Sequence, residues 1–504
     1  MTMLDGARVA FHPTTGIHRH RAVAPVLIGL LGLTISLIGI GTPSIWYDEA
    51  ATIISSTRSW DQLWAMVGSV DAVHAVYYAV MHLVFDLFGY SPVALRVPSA
   101  IAIGIAAALT VVLGRLFENV PRLGVIAGLV FCLLPRTTWA GTEGRSYALT
   151  AVFAVLLTIL LVVASRRSSR LLWALYALTV AVACLVFIYL ALVVVAHAVT
   201  MAWWFASSKS RAWPPAGRWL RWTALATAVV VPFALAVIGQ SGQLHWLDTP
   251  GAKTPRNVFE HQWFYSSPMF AVVGWALLAV GAVLLLRRAR GLSAASVLLP
   301  ALLLPTALLL VTSATITPIY TPRYLTMCLP FVALVIAAAI ARIPSRPLVL
   351  VALLVLLALA APQIALQREP EAKEKTSWAA VADLIAEQRA LDGPGAETAI
   401  VYGGVQRHPI ASARVIAYSY PDAFVGTTDV TLGTPAAETG QLWETRIPLE
   451  EGLTRLTTAD VVYLITSVSR DVRPETTATL ATVGWHLVDS WNLSEVNVLR
   501  YERD

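Results

Sequence analysis

Trp46-Tyr47-Asp48-Glu49 lies just beyond the first long apolar run, 23–40. Two adjacent carboxylates behind two aromatic rings, at the mouth of a membrane helix, are the residue types of an acid–base site. A carboxylate at the bilayer centre costs roughly 2.5–3.5 kcal/mol, so the pair is expected just outside the hydrocarbon, with Trp46 and Tyr47 at headgroup level. Acidic residues also suit the first turn of a helix, where they offset its dipole. The cost of keeping ionisable groups against a membrane favours chemistry over capping. Other chemistry-bearing residues fall in short polar stretches: Asp71 and His74 with Tyr77 and Tyr78, then Arg96, Glu143 and Arg145 with Tyr147, Glu260 and His261, and Arg323 with Tyr324.

These residues must be positioned by membrane helices. Hydrophobic residues make up 57% of the chain and charged residues 13%, far from the quarter charged of a soluble domain. A span needs about 20 apolar residues, and the runs 23–40, 93–113, 123–138, 147–164, 171–205, 220–239, 268–286, 294–312, 324–341 and 348–361 predict about eleven transmembrane helices, with 171–205 long enough for two. The net charge of +6 mostly reflects basic residues in particular loops, so no nucleic-acid partner follows from it. Arg115, Arg122, Arg166, Arg167, Arg170, Lys209, Arg211, Arg218, Arg221, Arg287, Arg288, Arg290, Arg342 and Arg346 fall on one side if the N-terminus is cytoplasmic, as retention of basic residues in short inside loops requires. The chemistry-bearing stretches then share the extracytoplasmic face.

Residues 1–365 are expected to form the transmembrane domain, with a long first outer loop, 41–91. In that loop Trp60, Leu63, Trp64 and Val67, and then His74, Tyr77, Tyr78, Met81 and Phe85, recur at helical spacing. From 366 to 504 the composition becomes mixed, with an amphipathic helix at 377–390, short strands at 399–402 and 461–465, and a helix-to-strand or hairpin closure at 483–501. This predicts a soluble extracytoplasmic α/β domain. Cys132, Cys184 and Cys328 lie in apolar runs without metal-ligand spacing. His197 is the main ionisable residue inside a span and is expected to be a packed histidine. The scarcity of midplane charge argues against an ion-coupled pump.

In this order on one face, Asp48-Glu49, Asp71-x-x-His74 with Tyr77-Tyr78, Ala94-Leu95-Arg96-Val97-Pro98-Ser99, Glu143-Gly144-Arg145-Ser146-Tyr147 and Pro322-Arg323-Tyr324-Leu325 resemble the GT-C superfamily of membrane glycosyltransferases. The likeness is to the protein O-mannosyltransferases and lipid A aminoarabinose transferases. Phe259-Glu260-His261-Gln262 is similar to a segment near the donor site of the latter, whereas Ala75-Val76 replaces two prolines the family often has after the histidine.

The resemblance implies a GT-C fold and an inverting glycosyltransferase of the plasma membrane. Such an enzyme moves a mannose- or pentose-like sugar from a polyprenyl-phosphate donor to a hydroxyl of a protein, lipoglycan or polysaccharide acceptor. Phosphate is already a good leaving group, so one base suffices, unlike the two carboxyls of glycoside hydrolysis. The roles implied are Asp48 as base, Glu49 as a positioning group for substrate or cation, and Arg145, Arg323 and Arg96 as ligands of the donor phosphate. His74, Tyr78, Glu143, Tyr147, Tyr324 and His261 are candidate substrate contacts. A divalent cation, Mg or Mn, would find its weak candidate ligands in His74, Glu260 and His261. The alternatives are a carrier or flippase for lipid-linked sugars, or a non-catalytic envelope assembly protein.

Overall fold

The structure is a computed structural model, and it describes residues 18–117, 122–167, 169–207, 209–393, 395–406 and 408–503. Helix α1 (His18–Leu37) leads into α2 (Tyr47–Ser56), α3 (Trp60–Ser69) and α4 (Ala75–Phe88) of the 41–91 loop. The bundle continues through α5 (Pro92–Arg115), α6 (Leu123–Leu133), α7 (Pro135–Ala140), α8 (Tyr147–Arg167), α9 (Arg170–Val186), α10 (Ala191–Ser207) and α11 (Lys209–Gly239). The apolar helices Pro268–Leu286, Ala294–Thr315, Pro322–Ile340 and Arg346–Leu366 complete it. Among the described residues, eight helices are long and apolar enough to cross a bilayer, and α1, α6 and α9 are shorter apolar helices. The chain is a polytopic helical membrane protein.

Local chemistry sets the breaks. Phe187 is extended (φ −160°, ψ 107°) and divides the run 171–205 into α9 and α10. Pro135 has no N–H to donate and holds Leu134 at φ −61°, ψ 124°, so the run 123–138 is not one span. Arg136, which the sequence placed inside that run, therefore belongs to α7, beyond the end of α6.

Pro322–Ile340 is the enclosed helix, with 94% of its apolar stretch buried, whereas Pro214–Gly239 and Arg346–Leu366 are only 17% buried. Their Leu235, Ile238, Leu350 and Leu354 face outward, where lipid rather than water is the solvent. A Cβ at Gly281 would collide with the Val335 carbonyl, so glycine is what lets Pro268–Leu286 lie against the enclosed helix. His197 is fully buried and bonded through both ring nitrogens, to Thr158 at 3.1 Å and Tyr176 at 2.9 Å, and Trp219 donates to Tyr176 at 3.0 Å. One polar cluster thus ties α8, α9, α10 and α11.

In the 41–91 loop a capping box between Ser59 and Gln62 starts α3. Leu63 and Val67 face inward and Trp60 and Trp64 outward, while His74, Tyr77, Tyr78, Met81 and Phe85 are buried on one side of α4.

After Leu366 comes the helix Trp378–Asp392 and a five-stranded sheet of β1 (Thr398–Tyr402), β4 (Thr428–Asp429), β5 (Val461–Ser467), β6 (Trp485–Asn492) and β7 (Val496–Arg503); β2 (Gly404–Val405) and β3 (His408–Ser412) form a separate pair. The order is β4-β1-β5-β7-β6, with β1 parallel to β4 and β5 and the β6–β7 hairpin antiparallel. This sheet domain does not stand apart: Ile45, Ala50, Ile54 and Leu63 share one apolar cluster with Trp378, Val415 and Ile416.

Candidate active site

Asp48 and Glu49 occupy the first turn of α2, whose N-cap Trp46 makes no side-chain cap. Glu49 is fully buried and clamped. Its Oε1 accepts from Arg96 Nε at 2.8 Å, the Gly144 amide at 2.8 Å and Lys373 Nζ at 3.2 Å, and its Oε2 accepts from Arg96 Nη2 at 2.6 Å. Burial opposes its charge, but Arg96 and Lys373 outweigh burial and hold Glu49 below the ordinary carboxyl range. Arg96 spends its remaining hydrogens on the carbonyls of Ile40, Pro43 and Ser44. All five guanidinium N–H groups are thereby used. Arg96 has no donor left for a phosphate and Glu49 reaches no substrate space, so both leave the expected site and become its frame.

Lys373, which the sequence did not single out, completes that frame from the segment after the last span. Its Nζ donates to Glu143 Oε2 at 2.6 Å and to the Thr142 carbonyl at 2.7 Å besides Glu49. Glu143 Oε1 accepts from Trp46 Nε1 at 2.7 Å. Burial, opposed by Lys373 and reinforced by Glu49, pushes Glu143 up to about 7. Glu143 thus orients Trp46 and does not face open space.

Asp48 points elsewhere. Its Oδ2 lies 3.2 Å from Arg323 Nη2 in an ion pair that lacks hydrogen-bond alignment. The Arg323 guanidinium sits 5.4 Å from the Trp46 ring centroid.

A cavity of about 300 Å³ opens beside this pair. Arg136, Arg323 and Lys373 give it three cations, and Trp46, Trp139 and Tyr265 give it aromatic walls. Asp48 itself does not line it but stands one residue back, against Arg323. The Arg136 guanidinium lies beside the stacked Trp139 and Tyr265 rings, 4.7 and 4.6 Å from their centroids, and donates to the His261 carbonyl. The sequence signal for it was an arginine next to a proline within an apolar run. His261 lines the cavity, its Nδ1 3.0 Å from Ser266 Oγ.

Arg145 is enclosed in a second cluster, bonded to His74 Nε2 at 3.0 Å, Tyr78 Oη at 3.1 Å and Thr52 Oγ1 at 3.3 Å, while Tyr78 donates to Asp71 at 2.8 Å. A guanidinium only donates, so His74 Nε2 accepts and the proton sits on Nδ1. Burial, then Arg145 and Arg323, hold His74 well below its ordinary value. Among the described residues, Arg145 Nε and His74 Nδ1 are buried without a hydrogen-bond partner. Tyr147 and Tyr324 are buried in an aromatic stack, Tyr147 5.9 Å from Trp139 and 6.2 Å from Tyr324. Neither lines the cavity.

The expected cation ligands do not converge. His74 faces Arg145, Glu260 pairs with Arg256 at 3.1 Å, and among the described residues no three His, Cys, Asp or Glu gather. These residues do not fit a divalent ion.

No protein-family model matches the chain, and no curated protein matches it. Solved structures do. ArnT from Cupriavidus metallidurans in the apo state matches with a TM-score of 0.57 at 14% identity, covering 94% of this chain and 97% of that one. ArnT bound to undecaprenyl phosphate matches over the same shares at 0.54. The chain has the GT-C fold. Arabinofuranosyltransferase AftD from Mycobacteria matches at 18% identity and a TM-score of 0.49, covering 99% of this chain and 42% of that one. In this chain the membrane part supplies Arg136, Arg323, Trp139 and Tyr265, the 41–91 loop supplies Trp46 and Asp48, and the segment entering the sheet domain supplies Lys373.

Proposed function

We propose that this protein is an inverting glycosyltransferase that takes a sugar from a polyprenyl-phosphate donor to an acceptor hydroxyl, at the outer face of the plasma membrane. One observation carries the reading: a cavity with three cationic side chains in which one cation, Arg323, is ion-paired to the carboxylate of Asp48. The GT-C fold, and the ArnT structure bound to undecaprenyl phosphate, support the donor class.

The donor phosphate occupies the cavity against Arg136 and Arg323, whose guanidinium groups offer donors that stay charged, while Lys373 stays in the frame, its three hydrogens held by Glu49, Glu143 and the Thr142 carbonyl. The acceptor oxygen attacks the anomeric carbon from the face opposite the phosphate. As that C–O bond forms, the bond from the anomeric carbon to the phosphate oxygen breaks, the configuration inverts and polyprenyl phosphate departs. Asp48 takes the hydroxyl proton. Drawing Arg323 onto the phosphate loosens its hold on Asp48 and frees the carboxylate to turn to the acceptor hydroxyl. The acceptor is a protein, lipoglycan or polysaccharide hydroxyl.

The test is purified protein in lipid nanodiscs with a synthetic polyprenyl-phosphate sugar. Release of polyprenyl phosphate is expected, and Asp48→Asn should lower it about 100- to 10,000-fold, the usual worth of a general base. Turnover that survives that change removes Asp48 from the role.

A further inference from the structure

Resting on the glycosyltransferase reading, we infer that the C-terminal domain is a working part of the active site, positioning Asp48 by gripping the adjacent Tyr47 between His408 and Trp443. The Tyr47 ring lies flat on the His408 imidazole, centroids 3.3 Å apart and planes within 2°. Trp443 flanks Tyr47 at 5.3 Å and donates from Nε1 to its hydroxyl at 3.0 Å. Tyr47 opens α2 and Asp48 is the next residue.

The grip extends along the helix. Before it, the Ile45 amide donates to Tyr420 Oη at 2.8 Å; beyond its far end, Arg58 donates to the carbonyls of Gln441 and Leu442 at 2.6 and 3.0 Å, the two residues before Trp443. One loop of the sheet domain therefore holds both ends of α2. Apolar packing between α2 and the domain would dock the two without directional contacts on Tyr47. Asp48 needs them because its Oδ2 has an ion pair but, among the described residues, no aligned hydrogen bond to fix it. Its aim at the acceptor is set by the backbone, and a side chain with two torsions, clamped on face and tip, fixes that backbone. A misplacement of about 1 Å at a reacting group costs on the order of a hundredfold.

The test uses the full chain in nanodiscs with Tyr47→Phe, Tyr47→Ala, His408→Ala and Trp443→Phe, reading kcat, donor KM, polyprenyl-phosphate binding and melting temperature. The positioning role predicts that kcat falls about ten- to a hundredfold in Tyr47→Ala and His408→Ala, while KM, phosphate binding and melting stay near wild type. Tyr47→Phe, which keeps the stack and loses the hydrogen bond, should recover most of the loss of Tyr47→Ala, and Trp443→Phe should match it. Unchanged kcat, or a loss expressed only in KM or melting, overturns the inference while an active wild type leaves the transferase reading intact. A wild type that neither binds polyprenyl phosphate nor transfers sugar overturns both.

Discussion

Successive side chains on a helix point about 100° apart, and on α2 that angle separates two carboxylates into different work. Glu49 turns inward to Arg96 and Lys373, and Asp48 turns to Arg323 at the cavity. Glu49→Gln should leave Arg96 buried without its counter-charge and cost about 3–5 kcal/mol, the usual price of breaking a buried pair, read as lowered melting in detergent. Asp48→Asn should leave melting intact and tighten polyprenyl-phosphate binding, because it removes the anion that competes for Arg323; weaker binding would contradict the shared-guanidinium reading. Arg323→Lys should weaken that binding roughly tenfold or more, the worth of a charge-assisted hydrogen bond. His74 adds a pH dependence. Its folded value lies well below the ordinary 6.5, so below pH 6.5 the unfolded chain binds a proton that the folded chain refuses, and stability is lost as pH falls through that window. His74→Gln should flatten this limb of melting against pH; an unchanged slope between about pH 5 and 7 would count against a neutral His74.

The elements that carry the site are placed by breaks and close approaches. Pro135 stops α6 early enough for Arg136 to reach the cavity, and Gly281 lets Pro268–Leu286 settle on the enclosed helix. Gly281→Leu should therefore overpack that contact and destabilise by about 1–3 kcal/mol or more. Gly217→Leu, at a position where an added Cβ meets nothing within 4 Å, is the matched control, and equal melting of the two variants would show the close approach to be unimportant. The spans and the loop helices were legible from sequence because length and a 3.6-residue repeat are local properties. The division of α6 from α7 was equally local, written in Pro135, but apolar neighbours on both sides hid it.

At the scale of the whole molecule, the bundle, the 41–91 loop and the sheet domain meet around one cavity, and the sheet domain shares its core with α2. The outward orientation proposed for this face is open to a direct test, because the native cysteines Cys132, Cys184 and Cys328 are all buried. Glu451→Cys, at an exposed site in the sheet domain, should react with a membrane-impermeant maleimide on intact cells, and Arg167→Cys, exposed at the end of α8, should react only after lysis; the reverse pattern would invert the topology. By itself the sequence determined the membrane class, the runs that become helices, the change of composition near residue 366 and the stretch around Asp48, all of which follow from solvent and local spacing. Only the tertiary structure decided which charges are spent on one another. Arg96 stood behind Arg145 and Arg323 as a phosphate candidate in the sequence but was still among them, and Lys373 and Arg136 gave little sign, because whether a cation faces a ligand or a buried carboxylate depends on partners more than 40 residues away: Glu49 for Arg96, and Glu49 and Glu143 for Lys373.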